Sequence, residues 1–231
     1  MSQTALFARL RRRIHWLQVV VHVGAWIPLI VLVSDFLTDN LTVNPIQAAT
    51  QRTGNIAIIL LVLSLACTPV NLLLRYSPVL KVRRALGLYG YMYAAIHFLI
   101  FSGLDYGFNL RLILPAIAEK RFIVVGFTAL LLLTVLAATS FRWWMVRLGK
   151  NWKRLHRLAY LTNLLVVLHF AWAVKGDFFR LQGDILRPLL AGIAVVVLLI
   201  LRIPAIRQRI NRLARPASPG GQRVRIKKVI S

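Results

Sequence analysis

The sequence predicts an all-α fold: a polytopic membrane bundle of six transmembrane helices with both termini cytoplasmic. Three observations predict it. Of the 231 residues, 58% are hydrophobic and 16% charged, too apolar a balance for an ordinary soluble core. Six apolar runs approach the roughly 20 residues that a helix needs to cross a bilayer. Basic residues crowd into alternate connecting segments, the pattern of a chain that crosses repeatedly under the positive-inside rule.

The first run, Ile14–Val33, follows Arg9, Arg11, Arg12 and Arg13 and has no convincing small-x-small cleavage site, so it reads as a retained helix and not a signal peptide. The second, Gly54–Leu74, contains Cys67, the lone cysteine, which has no partner for an internal disulfide or a Cys-x-x-Cys-His attachment. The third, Ala85–Leu104, starts directly after Arg83 and Arg84. Leu110–Ala118 is too short to span and reads as a re-entrant or interfacial piece on the outer side. The remaining runs are Phe122–Thr139, Leu158–Val174 and Pro188–Ile203. None alternates with period two, and backbone groups in lipid must be bonded within their own segment, so helices are expected and barrel strands are not. The chain thus divides into a basic cytoplasmic amino terminus (1–13), a transmembrane domain (14–203) and a basic, flexible cytoplasmic tail (204–231).

With the amino terminus inside, segments 1–13, 75–84, 140–157 and 202–231 carry 4, 4, 6 and 9 basic residues, 23 of the 30 in the chain. All six acids, Asp35, Asp39, Asp105, Glu119, Asp177 and Asp184, fall in the outer segments. The formal charge of +24 is therefore a topological device and a face for anionic lipid. It calls for no nucleic acid.

Five histidines remain to be explained: His15, His22, His97, His156 and His169. An ionisable side chain at membrane depth is costly unless it faces a partner, so each buried one is a functional candidate. Counting from Arg84 and Arg154 at 1.5 Å per residue puts His97 and His169 at one level in the outer half. Two neutral imidazoles so disposed suit axial ligation of a b-type haem, while a cross-helix hydrogen bond, another metal or a proton path remain open. Gly87, Gly90, Ala94 and Ala95 leave room for a macrocycle, and Tyr89, Tyr91, Tyr93, Phe98, Phe170 and Trp172 are available to pack it. His156 lies roughly 20 Å of helix below His169 and, at 100° per residue, on a different face, so a two-haem ladder needs a bend, a third helix or another inner ligand. It reads equally as an interfacial histidine. Arg83, Arg84, Lys153 and Arg154 are candidate partners of propionate, phosphate or quinone oxygens at the inner end. His22, the deeper of the two in the first run, suits a quinone headgroup, a second cofactor or a proton route; His15 reads as interfacial.

These residues sit within a longer pattern. Asn44-Pro45 and Thr53-Gly54 precede the run Arg83-Arg84-Ala85-Leu86-Gly87-Leu88. Tyr93 and His97 follow, then Thr139-Ser140, Leu148-Gly149, Trp152, Leu155-His156, Leu158, Tyr160 and Leu168-His169-Phe170. In this ordered combination, from about Trp16 to Arg202, the chain resembles the MsrQ family. These are the haem-binding membrane subunits of bacterial periplasmic methionine sulfoxide reductase systems, within the ferric-reductase-like transmembrane superfamily. The resemblance implies a six-helix inner-membrane protein binding heme b (one or two), with FMN also associated. It further implies electron transfer from membrane quinone to a periplasmic molybdenum-containing methionine sulfoxide reductase subunit. The family's histidines carry over as His97, His156 and His169, with a first-span histidine at His22. Only residues 204–231 follow the last run, and no strand with Gly-x-Gly-x-x-Gly appears, so reducing equivalents are expected from the membrane or another polypeptide. The alternatives are a related electron-transfer subunit with another acceptor, a proton- or cation-coupled transporter, and a scaffold whose histidines only join helices.

Overall fold

Apolar runs that must satisfy their own backbone in lipid become helices, and the computed structural model is built of them; it describes residues 15–174, 176–177, 182–183 and 185–213. The first helix, α1, spans Trp16–Leu37. His15 caps it in a reciprocal box: its Nδ1 accepts from the Leu17 N–H at 3.2 Å while Gln18 Oε1 accepts from the His15 N–H at 3.1 Å. The interfacial histidine is thus a helix start. Next, α2 runs Pro45–Leu74, nine residues longer at its start than the apolar run. Asn44 caps the Gln47 N–H at 3.0 Å and Pro45 takes the first turn, where its missing N–H costs nothing.

Helix α3, Val79–Leu99, continues as a π-helical segment, Ile100–Asp105. The short α4, Leu110–Glu119, is capped by Asn109. After α5, Arg121–Ala138, come two short helices, α6 (Arg142–Leu148) and α7 (Lys150–Leu155), and then α8, Leu158–Ala173. A two-residue antiparallel pair, Gly176–Asp177 with Gln182–Gly183, precedes α9, Leu186–Ile200, and α10, Pro204–Leu213.

Among the described residues four helices are long and apolar enough to cross a membrane: α1, α2, α3 with its π-helical extension, and α5. A fifth is reached if α9 and α10, bent by 72° at their break, count as one crossing. The chain is a multi-pass helical membrane protein. Of the six expected spans, the fifth is the 16-residue α8 and the sixth the 15-residue α9, each about 24 Å long or less at 1.5 Å per residue. The first ten residues of the expected flexible tail, 204–213, are helical. Residues 1–14 and 214–231, with Arg9, Arg11, Arg12, Arg13, Arg215, Arg223, Arg225, Lys227 and Lys228, lie outside the described residues, as do Asp184 and the side chain of Asp177.

Two hairpins organise the bundle: α2 packs along α3, and α5 along α8. Buried Ala57, Leu60, Cys67, Val82, Leu86 and Tyr93 form a core in the first hairpin, against which α1 lays Leu17, Val21 and Leu29. Tyr93 is 1% exposed, and its hydroxyl donates to the Ala25 carbonyl of α1 at 2.7 Å. That carbonyl already belongs to a helix ladder, so Tyr93→Phe is expected to cost about 1 kcal/mol of thermal stability in detergent. Cofactor content should not change.

Candidate functional site: two imidazoles facing across the bundle

His97 lies near the end of α3 and His169 near the end of α8. Each Nδ1 meets a backbone carbonyl of the neighbouring helix, His97 that of Thr50 at 2.8 Å and His169 that of Phe122 at 2.7 Å. A carbonyl can only accept, so both Nδ1 atoms carry the proton and both Nε2 atoms present a lone pair. This is the outer hydrogen bond by which a metal-ligating histidine is held in one tautomer.

One turn beyond each carbonyl stands a glycine that makes room for the ring. A Cβ built on Gly54 meets His97 Nδ1 at 3.2 Å, and one on Gly126 meets His169 Nδ1 at 2.5 Å. The two arrangements repeat. Both histidines follow their carbonyl partner by 47 residues, and Phe122, Gly126 and His169 each stand 72 positions after Thr50, Gly54 and His97. At the same offset Ala57 matches Ala129, Leu61 matches Leu133, Leu86 matches Leu158 and Phe98 matches Phe170, with the first two pairs buried in both copies. The two hairpins therefore hold their histidines in the same way, at the same spacing.

The facing rings have centroids 6.1 Å apart and planes at 84°. A metal with bonds of about 2 Å to each imidazole nitrogen separates two axial ring centroids by roughly 6 Å. The helices that carry the two rings pack chiefly on their own hairpin partners. Among the described residues no group of three or more His, Cys, Asp or Glu side chains gathers to hold a metal. A metal between these two rings must then bring its other donors with it, as iron in a porphyrin does. The residues fit haem. Phe98 and Phe127, 5.6 Å apart, with Phe101 and Tyr106, form an aromatic wall along the α3–α5 side, and Phe122 lies 6.0 Å from the His169 ring.

At the opposite end of the hairpins, a cavity of about 220 Å³ opens between α2, α3, α5 and α8. His156, Arg83, Arg84, Tyr91, Tyr160, Asn163 and Arg202 line it, and no carboxylate does. The backbone of α7 and α8 is interrupted at His156 and Arg157, so His156 and His169 do not share one straight helix. His156 Nε2 lies 3.2 Å from Thr139 Oγ1, and its ring packs on Trp152 at 4.2 Å. Burial lowers its pKa; bonding to Thr139 opposes this, and the nearby Arg83 and Arg84 lower it further. Neutral imidazole is the form that ligates metals.

Arg83 donates to Thr68 Oγ1 at 3.2 Å, and its own carbonyl accepts from Ser64. Arg154 and Lys153 are exposed on α7 and do not line the cavity. Arg202, which by sequence only opens the basic inner segment 202–231, lines the cavity in their place. From the break after α9 it reaches the Leu65 carbonyl and the Tyr160 hydroxyl, its guanidinium lies 5.1 Å over the Tyr160 ring, and its buried Nε–H has no partner. Of the aromatic residues expected around a macrocycle, Tyr93 is buried against α1 and Tyr89 pairs with His22, whose Nδ1 lies 2.9 Å from the Tyr89 hydroxyl.

Residues 53–167 match the family model described as ferric reductase like transmembrane component. The chain is 42% identical over 202 residues to the protein-methionine-sulfoxide reductase heme-binding subunit MsrQ of Deinococcus radiodurans, covering 87% of this chain and 95% of that one. It is 39% identical to the protein of the same name from Rhodospirillum rubrum, over 83% of this chain and 90% of the relative. With the one from Bordetella pertussis it shares 37% identity, over 72% and 79%. Similarity of this extent, together with a match that takes in His97 and His156, makes the chain a member of the MsrQ family of ferric-reductase-like membrane proteins.

Proposed function

We propose that this protein carries electrons across the inner membrane through b-type haem. Electrons come from a membrane quinol and go to a periplasmic, molybdenum-containing methionine sulfoxide reductase subunit. The observation that carries this reading is the His97–His169 pair, two imidazoles tethered by their Nδ1 atoms with ring centroids 6.1 Å apart. Haem, when bound, supplies a one-electron couple. The residues supply position: Thr50 and Phe122 fix the tautomers, Gly54 and Gly126 admit the rings, and the aromatic wall on α3 and α5 keeps water from the outer end.

The relatives are named as heme-binding subunits, which supports the same assignment for this chain. In this reading six crossings leave both termini on the cytoplasmic side, α8 and α9 being the short ones. The inner cavity holds a second centre, haem or FMN, with His156 as its single imidazole and Arg83, Arg84 and Arg202 as cationic partners for propionate or phosphate. The 72-residue offset favours one imidazole there, because Arg84 stands where the second hairpin has His156.

Quantitative haem and flavin determination on the purified protein, followed by reduction with dithionite, tests the proposal. Two haems, or one haem and one FMN, are expected per chain, with a sharp visible band on reduction. A folded preparation from haem-replete cells that stays colourless would sink it.

A further inference from the structure

The seam between α1 and α3 carries a polar pair that the haem sites do not use. His22 and Trp26 stand one turn apart on α1 and face Tyr89 of α3. His22 Nδ1 lies 2.9 Å from the Tyr89 hydroxyl, the His22 and Tyr89 rings meet edge-on at 5.6 Å, and Trp26 meets Tyr89 edge-on at 6.3 Å. His22 is exposed, as is Trp26 at 44%. In a helix that crosses the bilayer, such exposure is to lipid.

Joining α1 to α3 does not account for this, since the buried Tyr93–Ala25 bond already does so within an apolar contact. An imidazole left facing hydrocarbon is expensive and marks a functional position. His22 lies about 9 Å along α1 from its start at Trp16, and Tyr89 about 8 Å past Arg84. Both therefore belong to the arginine-rich half of the bundle. Leu88 and Tyr91, on the same turn of α3 as Tyr89, line the inner cavity, so only the width of α3 separates the pair from it.

We propose that the His22–Tyr89 pair is where a hydroquinone docks from the lipid phase and gives up its protons. This rests on the electron-transfer reading above and adds the entry point. A ligand that reaches these residues must travel in lipid, must end in a hydroxyl or carbonyl for the histidine and tyrosine, and gains from an aromatic ring beside Trp26 and Tyr89. A hydroquinone meets all three requirements. In the tautomer that donates its Nδ1–H to the tyrosine oxygen, Nε2 keeps a lone pair to accept the hydroquinone O–H. Oxidation of one hydroquinone to quinone breaks two O–H bonds. The two protons leave in turn through His22 to water at the arginine-rich end, and the two electrons reduce two ferric haem equivalents to ferrous.

The test uses the full-length protein in lipid nanodiscs with a short-chain azidoquinone as photoaffinity probe. Labelling is expected on the peptides that hold His22, Trp26 or Tyr89, with competition by decylhydroquinone. In His22→Ala and in Tyr89→Phe, labelling should fall at least tenfold. The rate of haem reduction by decylhydroquinone should fall as far, while the dithionite-reduced spectrum stays unchanged. Labelling confined to other segments, or labelling and reduction rates within twofold of the parent protein in both variants, would overturn the proposal. Specific labelling at His22 in a protein that binds no haem would uphold the docking site and end the haem reading instead.

Discussion

His169→Ala is expected to remove the bis-imidazole haem signal completely, while His156→Ala retains it. The reason is geometric. In the proposed site His97 and His169 would hold the haem iron together, so loss of either ring would remove one of its two protein ligands. The backbone has no reason to follow, because the Phe122 carbonyl that accepts from His169 sits in the first turn of α5, where the helix ladder continues without it. Reduced-minus-oxidised absorbance, read beside far-ultraviolet circular dichroism, separates the two effects. A His169→Ala protein of normal helicity that keeps the full band would remove His169 from the ligand set. A His156→Ala protein that loses the whole band would make the inner histidine primary.

A methyl group at Gly126 is expected to do nearly as much damage from the second helix. The Cβ of alanine there would lie 2.5 Å from His169 Nδ1 and 2.7 Å from Cε1, closer than non-bonded atoms approach, so the ring must swing away and lose the Phe122 carbonyl. Gly54→Ala brings its methyl only to 3.2 Å from His97 Nδ1, a crowding that small shifts relieve. Haem occupancy should therefore fall at least tenfold in Gly126→Ala and no more than about twofold in Gly54→Ala. A second readout guards against a trivial loss of folding. Alanine is the better helix former by about 1 kcal/mol, so the Gly126→Ala apoprotein should melt no lower than the parent apoprotein. Equal haem content in all three proteins would show that neither glycine is needed for ring clearance.

Much of this was legible in the sequence. The apolar runs gave every long helix, because lipid leaves the backbone no alternative to internal bonding, and counting residues from Arg84 and Arg154 brought His97 and His169 to one level. Other features were not. The early start of α2 depends on Asn44-Pro45, polar signals outside the apolar run. The break at His156 and Arg157 is a local change of backbone path that even spacing cannot express. Arg202 reads as a boundary charge, since nothing in its neighbours says that it folds back over Tyr160. The 72-residue offset was present in the letters but thinly spread; two hydrogen bonds of equal span brought it out.

That offset has a consequence for how such a protein can arise. Both halves offer a backbone carbonyl, a bare position one turn on and an imidazole, at one spacing along the chain. Half a gene therefore contains everything the outer site requires, provided two products meet side by side. A chain of one hairpin could form such a pair by meeting a second copy of itself, and joining two copies would leave the opposite end free to differ between them. Position 84 against position 156, arginine in one copy and histidine in the other, is where that divergence is written.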